Sequence, residues 1–524
     1  MAFSIFDLTS SIDLQQLKLP FISAAENLEP IENWNCYISL CSDFFILIAL
    51  SLILTFLVIT DSVYQSSNKH FIYSKVAAKL LILSLVLTFI LSNNNHSNFF
   101  AFENLLIYDE LSGLTKNILI FSIISCILIC YNYLSLDKIF QYEYFILLGL
   151  SFFGMSILIN ANDLMTMYLG IEIQSLSFYI LATFKIYNNF STEAGLKYFI
   201  LGAFSSGLLL FGSSLIYGFT GTTNFQDLSI LLKNLDLSNN ISMGLLLGFI
   251  FVIVGFLFKL GAVPFHMWVP DVYDGVPTLV TSVFAIVPKI AVLTLLIRIS
   301  SYFLCINFFF LQQLLLCTAI FSIILGTLGA LYQSKLKKLL AYSAISHVGF
   351  LLIGLSNLNN LSLFSLFFYI SVYILISLNI FALILGLRKN NSYLKFKKIN
   401  EFVILFKSNK LLAINFAIIL FSIAGIPPLV GFYSKFYIFV SAIDSNIYLI
   451  GILAAIFSVI ASMYYIRLIK LMFFKNFNYW TFLQEVSKSN SLIITSTLFF
   501  NVLFFCYPEI FITYLYNIIL NFFF

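Results

Sequence analysis

Stretches of 18 or more mostly apolar residues recur along the whole chain, and they restrict it to a helical fold inside a bilayer. A run of that length crosses roughly 30 Å of hydrocarbon as an α-helix, whereas a barrel strand would alternate over about ten residues. A water-soluble fold is excluded by the balance of side chains. Of 524 residues, 61% are hydrophobic and 10% charged, and the mean hydropathy is +1.00. A soluble chain carries about 25% charged residues, because its surface has to be wetted. Candidate spans fall at 40–60, 76–92, 113–131, 142–160, 163–185, 194–219, 242–263, 277–300, 311–332, 339–356, 361–387, 411–441, 446–473 and 491–519. The expected fold is therefore an all-α polytopic membrane protein of about fourteen helices.

The loops between these spans sort by charge. One set holds Lys69, Lys75, Lys138, Lys185, Lys335, Lys337 and Lys338, then Arg388, Lys389, Lys395, Lys397, Lys398, Lys407 and Lys410, then Arg467, Lys470, Lys475 and Lys488. The opposite set holds Lys18, Lys233 and Arg298. A ratio of 18 to 3 supports the span count, since one missed helix would invert everything after it. The positive-inside rule places the basic loops on the cytoplasmic or matrix side and both termini opposite. The stretch 1–39 is a polar, acidic extension with neither a signal peptide nor an Arg-rich transit peptide. Abundant Phe, Ile, Asn and Lys suit an AT-rich genome such as an organelle's.

Two spans are interrupted. The run 242–263 leads into Lys259-Leu260-Gly261-Ala262-Val263-Pro264-Phe265-His266, and 411–441 contains Gly425-Ile426-Pro427-Pro428. Proline removes a helical hydrogen bond and opens the backbone, which at membrane depth is tolerated only against protein or water. The breaks lie five spans apart. That spacing divides the chain into the extension 1–39, three helices over 40–141, a first half over 142–300, a second half over 311–473 and a last helix within 491–524. An odd number of helices per half makes the two halves inverted repeats.

Ionisable side chains fall inside the spans. Lys79 and Lys116 lie near helix ends and are read as snorkelling to the interface. Lys259 precedes the first break, Lys435 follows the second, Lys289 sits mid-span after Pro288, and Lys197 stands near the start of its span, where snorkelling is the competing explanation. Glu172 lies mid-way along the fifth span and needs a partner or a proton. One buried pair could be structural glue. Four lysines and a carboxylate on five helices form a candidate proton path, because burial makes a lysine release its proton more readily and a carboxylate nearby opposes this. His266 and His347 are candidate relays, with structural roles as the alternative. Asp271 and Asp274 read as loop-bracing or capping residues. Cys126 and Cys130 share a helix face without a second pair and read as core residues. No motif offers a site for a metal, NADH, flavin or an iron–sulfur cluster, and nothing suggests a nucleic-acid partner.

Five stretches carry a resemblance. They are Phe258-Lys259-Leu260-Gly261-Ala262-Val263-Pro264-Phe265-His266-Met267-Trp268-Val269-Pro270-Asp271-Val272-Tyr273-Asp274-Gly275-Val276-Pro277-Thr278, Glu193-Ala194-Gly195-Leu196-Lys197-Tyr198, Pro288-Lys289-Ile290-Ala291, Ala341-Tyr342-Ser343-Ala344-Ile345-Ser346-His347, and Ala424-Gly425-Ile426-Pro427-Pro428-Leu429-Val430-Gly431-Phe432-Tyr433-Ser434-Lys435-Phe436. Taken in their order along the chain, they resemble the chain 2/subunit N family of respiratory NADH:ubiquinone oxidoreductase, complex I. The wider antiporter-like family, including subunits of multisubunit cation/proton antiporters, is the alternative. The resemblance implies fourteen helices with two inverted five-helix repeats. It implies that Glu172 pairs with Lys259, that Lys289 is central, that Lys435 leads toward the next subunit, and that Lys197 has a less defined part. It further implies a subunit of the proton-translocating NADH:ubiquinone reductase without a cofactor of its own, with NAD, FMN, iron–sulfur clusters and ubiquinone in other subunits. The implied partners are other membrane-arm subunits including chain 4, accessory subunits and lipids such as cardiolipin. The implied site is the mitochondrial inner membrane. Asp274 and Leu279 depart from the family's usual residues.

Overall fold

A computed structural model describes residues 42–43, 45–55, 70–93, 99–136, 142–185, 187–233, 240–388, 396–475 and 483–523. The expected extension 1–39 and much of the first span lie outside these residues. Among those described, the chain is helical apart from one two-stranded hairpin. Eleven helices are long and apolar enough to cross a membrane, or twelve if one sharply bent pair counts as a span.

The N-terminal part contains α1 (Phe45–Thr55), α2 (His70–Ser92), the hairpin strands β1 (Phe99–Ala101) and β2 (Leu106–Tyr108), and α3 (Glu110–Leu136). Next come α4 (Glu143–Asn160), α5 (Leu164–Ala182), α6 (Asn189–Thr220), α7 (Phe225–Lys233), α8 (Asn240–Leu260) and α9 (Trp268–Gly275). The second part holds α10 (Thr278–Leu331), α11 (Leu336–Leu355) and α12 (Asn360–Gly386), then α13 (Leu405–Ser408), α14 (Lys410–Ala424), α15 (Val430–Asp444) and α16 (Tyr448–Phe474). The chain closes with α17 (Lys488–Leu503) and α18 (Pro508–Phe523).

Some helices start on a side chain that satisfies one of their free N–H groups. Asp163 accepts from Met165 N at 2.7 Å, and Asn409 accepts from Leu412 N at 3.2 Å. Bare backbone sets the closest packing between α4 and α5. A methyl at Gly154 would stand 2.7 Å from the Gln174 nitrogen, so any side chain there would push α5 away.

The helical run α10 is 54 residues long. Straight, it would extend about 81 Å, far more than a bilayer. It is not straight. Lys289 lies 3.5 Å from the Ala344 carbonyl, and a methyl on Gly326 would lie 2.6 Å from the Ser346 nitrogen. Both halves therefore flank the same turn of α11, so the run turns back on itself, and Thr278–Tyr302 and Phe310–Leu331 make two spans where two were expected.

Two expectations need correction. The last span, 491–519, is not one helix: α17 and the following helix meet at 94°, with Pro508 just past the bend. Lys116 does not snorkel. It is 2% exposed and pairs with Asp43 at 2.5 Å. Lys79 is exposed.

Candidate functional site

At the first break, α8 ends at Leu260 because Gly261 takes a left-handed conformation, φ 76°, and Pro264 has no N–H to give the Leu260 carbonyl. The indole of Trp268 donates to the Phe258 carbonyl at 2.9 Å and stitches α9 back onto α8. Lys259 points at α5, with its ammonium 3.4 Å from the Tyr179 hydroxyl and 5.7 Å from the ring centre. Glu172 accepts from Ser175 at 3.4 Å. No ion pair within 4.0 Å joins Glu172 to Lys259, so the two are near neighbours with Tyr179 beside the lysine, not a direct contact. Glu172 also lies on an outward edge. Met165, Leu169, Leu176 and Ile180, spaced along the same side of α5, are each more than half exposed.

The second break shows why a lysine sits there. In an unbroken helix the carbonyls of Ile423 and Ala424 would accept from residues 427 and 428. Both are prolines, so neither donor exists. Gly425, at φ 86°, ends α14 and turns the chain. The Lys435 ammonium supplies the missing donors, at 2.8 Å to the Ile423 oxygen and 3.0 Å to the Ala424 oxygen. The negative end of the α14 dipole adds to the attraction. Lys435 is 6% exposed.

Beside the second break lies a cavity. Its lining includes His347, Tyr369, Tyr373, Ser377, Ser434 and Lys435. Its free volume for water centres is about 40 Å³. A water needs roughly 10–15 Å³ by this measure, so about three fit. The Lys289 ammonium donates to the Tyr373 hydroxyl at 2.9 Å, with the ring centre at 4.5 Å, and Tyr373 in turn donates to the Ala285 carbonyl at 3.2 Å. His347 Nδ1 is 2.6 Å from the Tyr369 hydroxyl. His347 and Lys435 thus line one largely apolar cavity directly, and Lys289 reaches it through the Tyr373 hydroxyl. Hydrogen-bonded groups with room for water between them can pass protons by short exchanges.

The other expected residues lie elsewhere. His266 lies two residues after Pro264, its Nδ1 buried with no hydrogen-bond partner among the described residues. Lys197 is 45% exposed and pairs with Glu193 at 2.9 Å and Asp271 at 3.1 Å. Asp274 pairs with Lys335 at 2.6 Å.

Several residues escaped the sequence reading. Tyr369 and Tyr373 are four apart on α12, a spacing that puts both hydroxyls on one face and could have flagged them. Asp43 holds Lys116 and also accepts from Tyr108 at 2.8 Å and Asn160 at 3.1 Å. Arg298, counted above as a loop residue, is 1% exposed and donates to both oxygens of Asp109 at 2.8 and 3.0 Å. No group of three or more potential metal ligands occurs among the described residues.

Two interrupted helices, each next to a lysine, within a frame of membrane-length helices define an antiporter-like polytopic membrane protein. Residues 161–461 match the transmembrane family described as NADH:quinone oxidoreductase/Mrp antiporter. The NADH-ubiquinone oxidoreductase chain 2 of Marchantia polymorpha is 43% identical over 410 residues, covering 78% of this chain and 82% of that one. Subunit N of the Pelagibacter ubique NADH-quinone oxidoreductase is 40% identical, covering 82% and 88%. A chain of respiratory complex I from Thermus thermophilus shares the fold, with a TM-score of 0.73 at 24% identity, covering 89% and 98%. The chain belongs to the NADH:quinone oxidoreductase/Mrp antiporter family, among its chain 2 and subunit N members.

Proposed function

We propose that this chain is a proton-translocating, antiporter-like subunit in the membrane arm of respiratory complex I. The observation that carries the reading is the Lys435 ammonium, held on two carbonyls that prolines leave without donors, at the wall of the chamber that also receives His347 and the Tyr373 partner of Lys289. Glu172, Lys259, Lys289 and Lys435 carry the protons, with His347 and His266 as relays and Lys197 at the aqueous edge. Pro264, Gly425, Pro427 and Pro428 keep the backbone open. NADH oxidation and ubiquinone reduction belong to other subunits, and this chain contributes no redox centre.

The fourteen-helix reading is supported by adding α1 and the α14–α15 pair to the twelve spans counted. Two inverted halves, 142–300 and 311–473, flanked by the N-terminal helices of 40–141 and the last helix of 491–524, are supported by the matching placement of the breaks. The outward edge holding Glu172 supports a neighbouring membrane-arm subunit, because a carboxylate facing lipid at a helix centre costs about 2.5–3.5 kcal/mol. Chain 4, accessory subunits and lipids such as cardiolipin are the proposed partners. The proposed site is the mitochondrial inner membrane, with basic loops toward the matrix and the termini toward the intermembrane space.

The test is Lys289→Met in the assembled complex within sealed vesicles. Proton uptake driven by NADH should fall while the complex still assembles. Unchanged uptake would refute the proposal.

A further inference from the structure

The α9 segment, which follows directly from the first break, is clamped by charge to the start of α11. Asp271 holds Lys197 of α6 at 3.1 Å and lies 4.0 Å from Lys338. Asp274, nearly one turn further on, takes Lys335 at 2.6 Å. Lys337 donates to the Val276 carbonyl at 2.5 Å. Three lysines at the beginning of α11 thus grip the eight-residue α9 and the residue after it. Beyond these contacts α11 carries Ala344, whose carbonyl is 3.5 Å from the Lys289 ammonium, and His347 at the chamber.

We propose that Asp271 and Asp274 are positioning residues of an ionic latch that links the backbone break beside Lys259 to the helix beside Lys289. The inference rests on the transport reading above. Lys259 is joined to α9 by only the seven open residues of the break, so a shift of that backbone moves Asp271 and Asp274 with it. Their lysine partners then move the start of α11, and the rigid helix carries the displacement to Ala344 and His347. Ion pairs suit this task. Side-chain exposures of 24% at Asp274 and 50% at Lys335 keep the pair in touch with water. Such pairs contribute little to stability one at a time, yet several together set a register that can be released without breaking the core. The same argument gives Lys197 a place in the latch through its contact with Asp271, at the end of the network farthest from the chamber.

The test uses the assembled complex in sealed vesicles with Asp274→Lys, Lys335→Asp and the double charge swap. Each single change should lower protons moved per NADH at least about twofold, and the swap should recover most of that loss, the signature of a direct pairwise interaction. Lys335→Arg should pump normally. Wild-type pumping ratios in the single variants would overturn the latch. So would a swap that restores assembly while no variant alters protons per NADH, since that is a brace and nothing more. Lys289→Met in the same vesicles separates the two levels. If it abolishes pumping while the latch variants pump normally, the latch alone fails; if it too pumps normally, the transport reading fails.

Discussion

The Lys435 ammonium lies 3.0 Å from the Ala424 carbonyl, an oxygen that Pro428 leaves without its helical donor. Sequence and site meet in that contact. The proline that breaks the helix creates the acceptor that the lysine fills. The ammonium is held by carbonyl dipoles, with no carboxylate in contact among the described residues.

Replacing Pro428 with Ala offers the Ala424 carbonyl a competing N–H. Lys435 then loses one of its two acceptors. A hydrogen bond to a charged group is worth about 1.5–3 kcal/mol. Proton transfer should slow with assembly intact, and NADH-driven acidification measured beside NADH oxidation would show it. Equal ratios in the variant and the parent would mean that the break does not tune Lys435.

Tyr373→Phe removes the hydroxyl 2.9 Å from Lys289 and leaves the ring in place. The ammonium keeps only the longer contact to Ala344. Leaving a buried donor underused costs about 1–3 kcal/mol. Pumping should fall by roughly tenfold with normal complex levels on native gels, and Tyr369→Phe should act similarly through His347.

The Asp43–Lys116 pair makes a different prediction. Asp43→Leu or Lys116→Met alone strands a buried charge, which costs about 3–5 kcal/mol, and should deplete the assembled complex. The double change removes both charges and should recover most of the yield. Thermal inactivation of the purified complex checks it; a double variant as unstable as the two single losses combined would show that the pair does not act as a unit.

Much of the fold was legible because membrane helices are written locally. Eleven of the expected spans coincide with helices, and both breaks were visible as Gly and Pro at span depth. What was not legible depends on distant contacts. Nothing in the pattern around Lys116 says that Asp43 will reach it, so the lysine read as snorkelling. Arg298 looked like a loop cation because the meeting with Asp109 is a tertiary event. The bend before Pro508 was hidden inside an apolar run. In the site, the lysines announced themselves as charges in hydrocarbon, whereas Tyr179, Tyr369 and Tyr373 did not, since tyrosine is common in such helices. The expected contact between Glu172 and Lys259 is replaced by a Tyr179 hydroxyl next to the lysine.

The most direct measurement of the central claim is the number of protons moved per NADH oxidised by the assembled complex carrying Lys435→Met, in sealed vesicles at matched turnover. A methionine keeps the bulk and removes the exchangeable proton. The account predicts a fall in that number with the complex assembled, since a positioned proton-transfer group contributes about 10²–10⁴-fold to its step. An unchanged number in a fully assembled complex would contradict it.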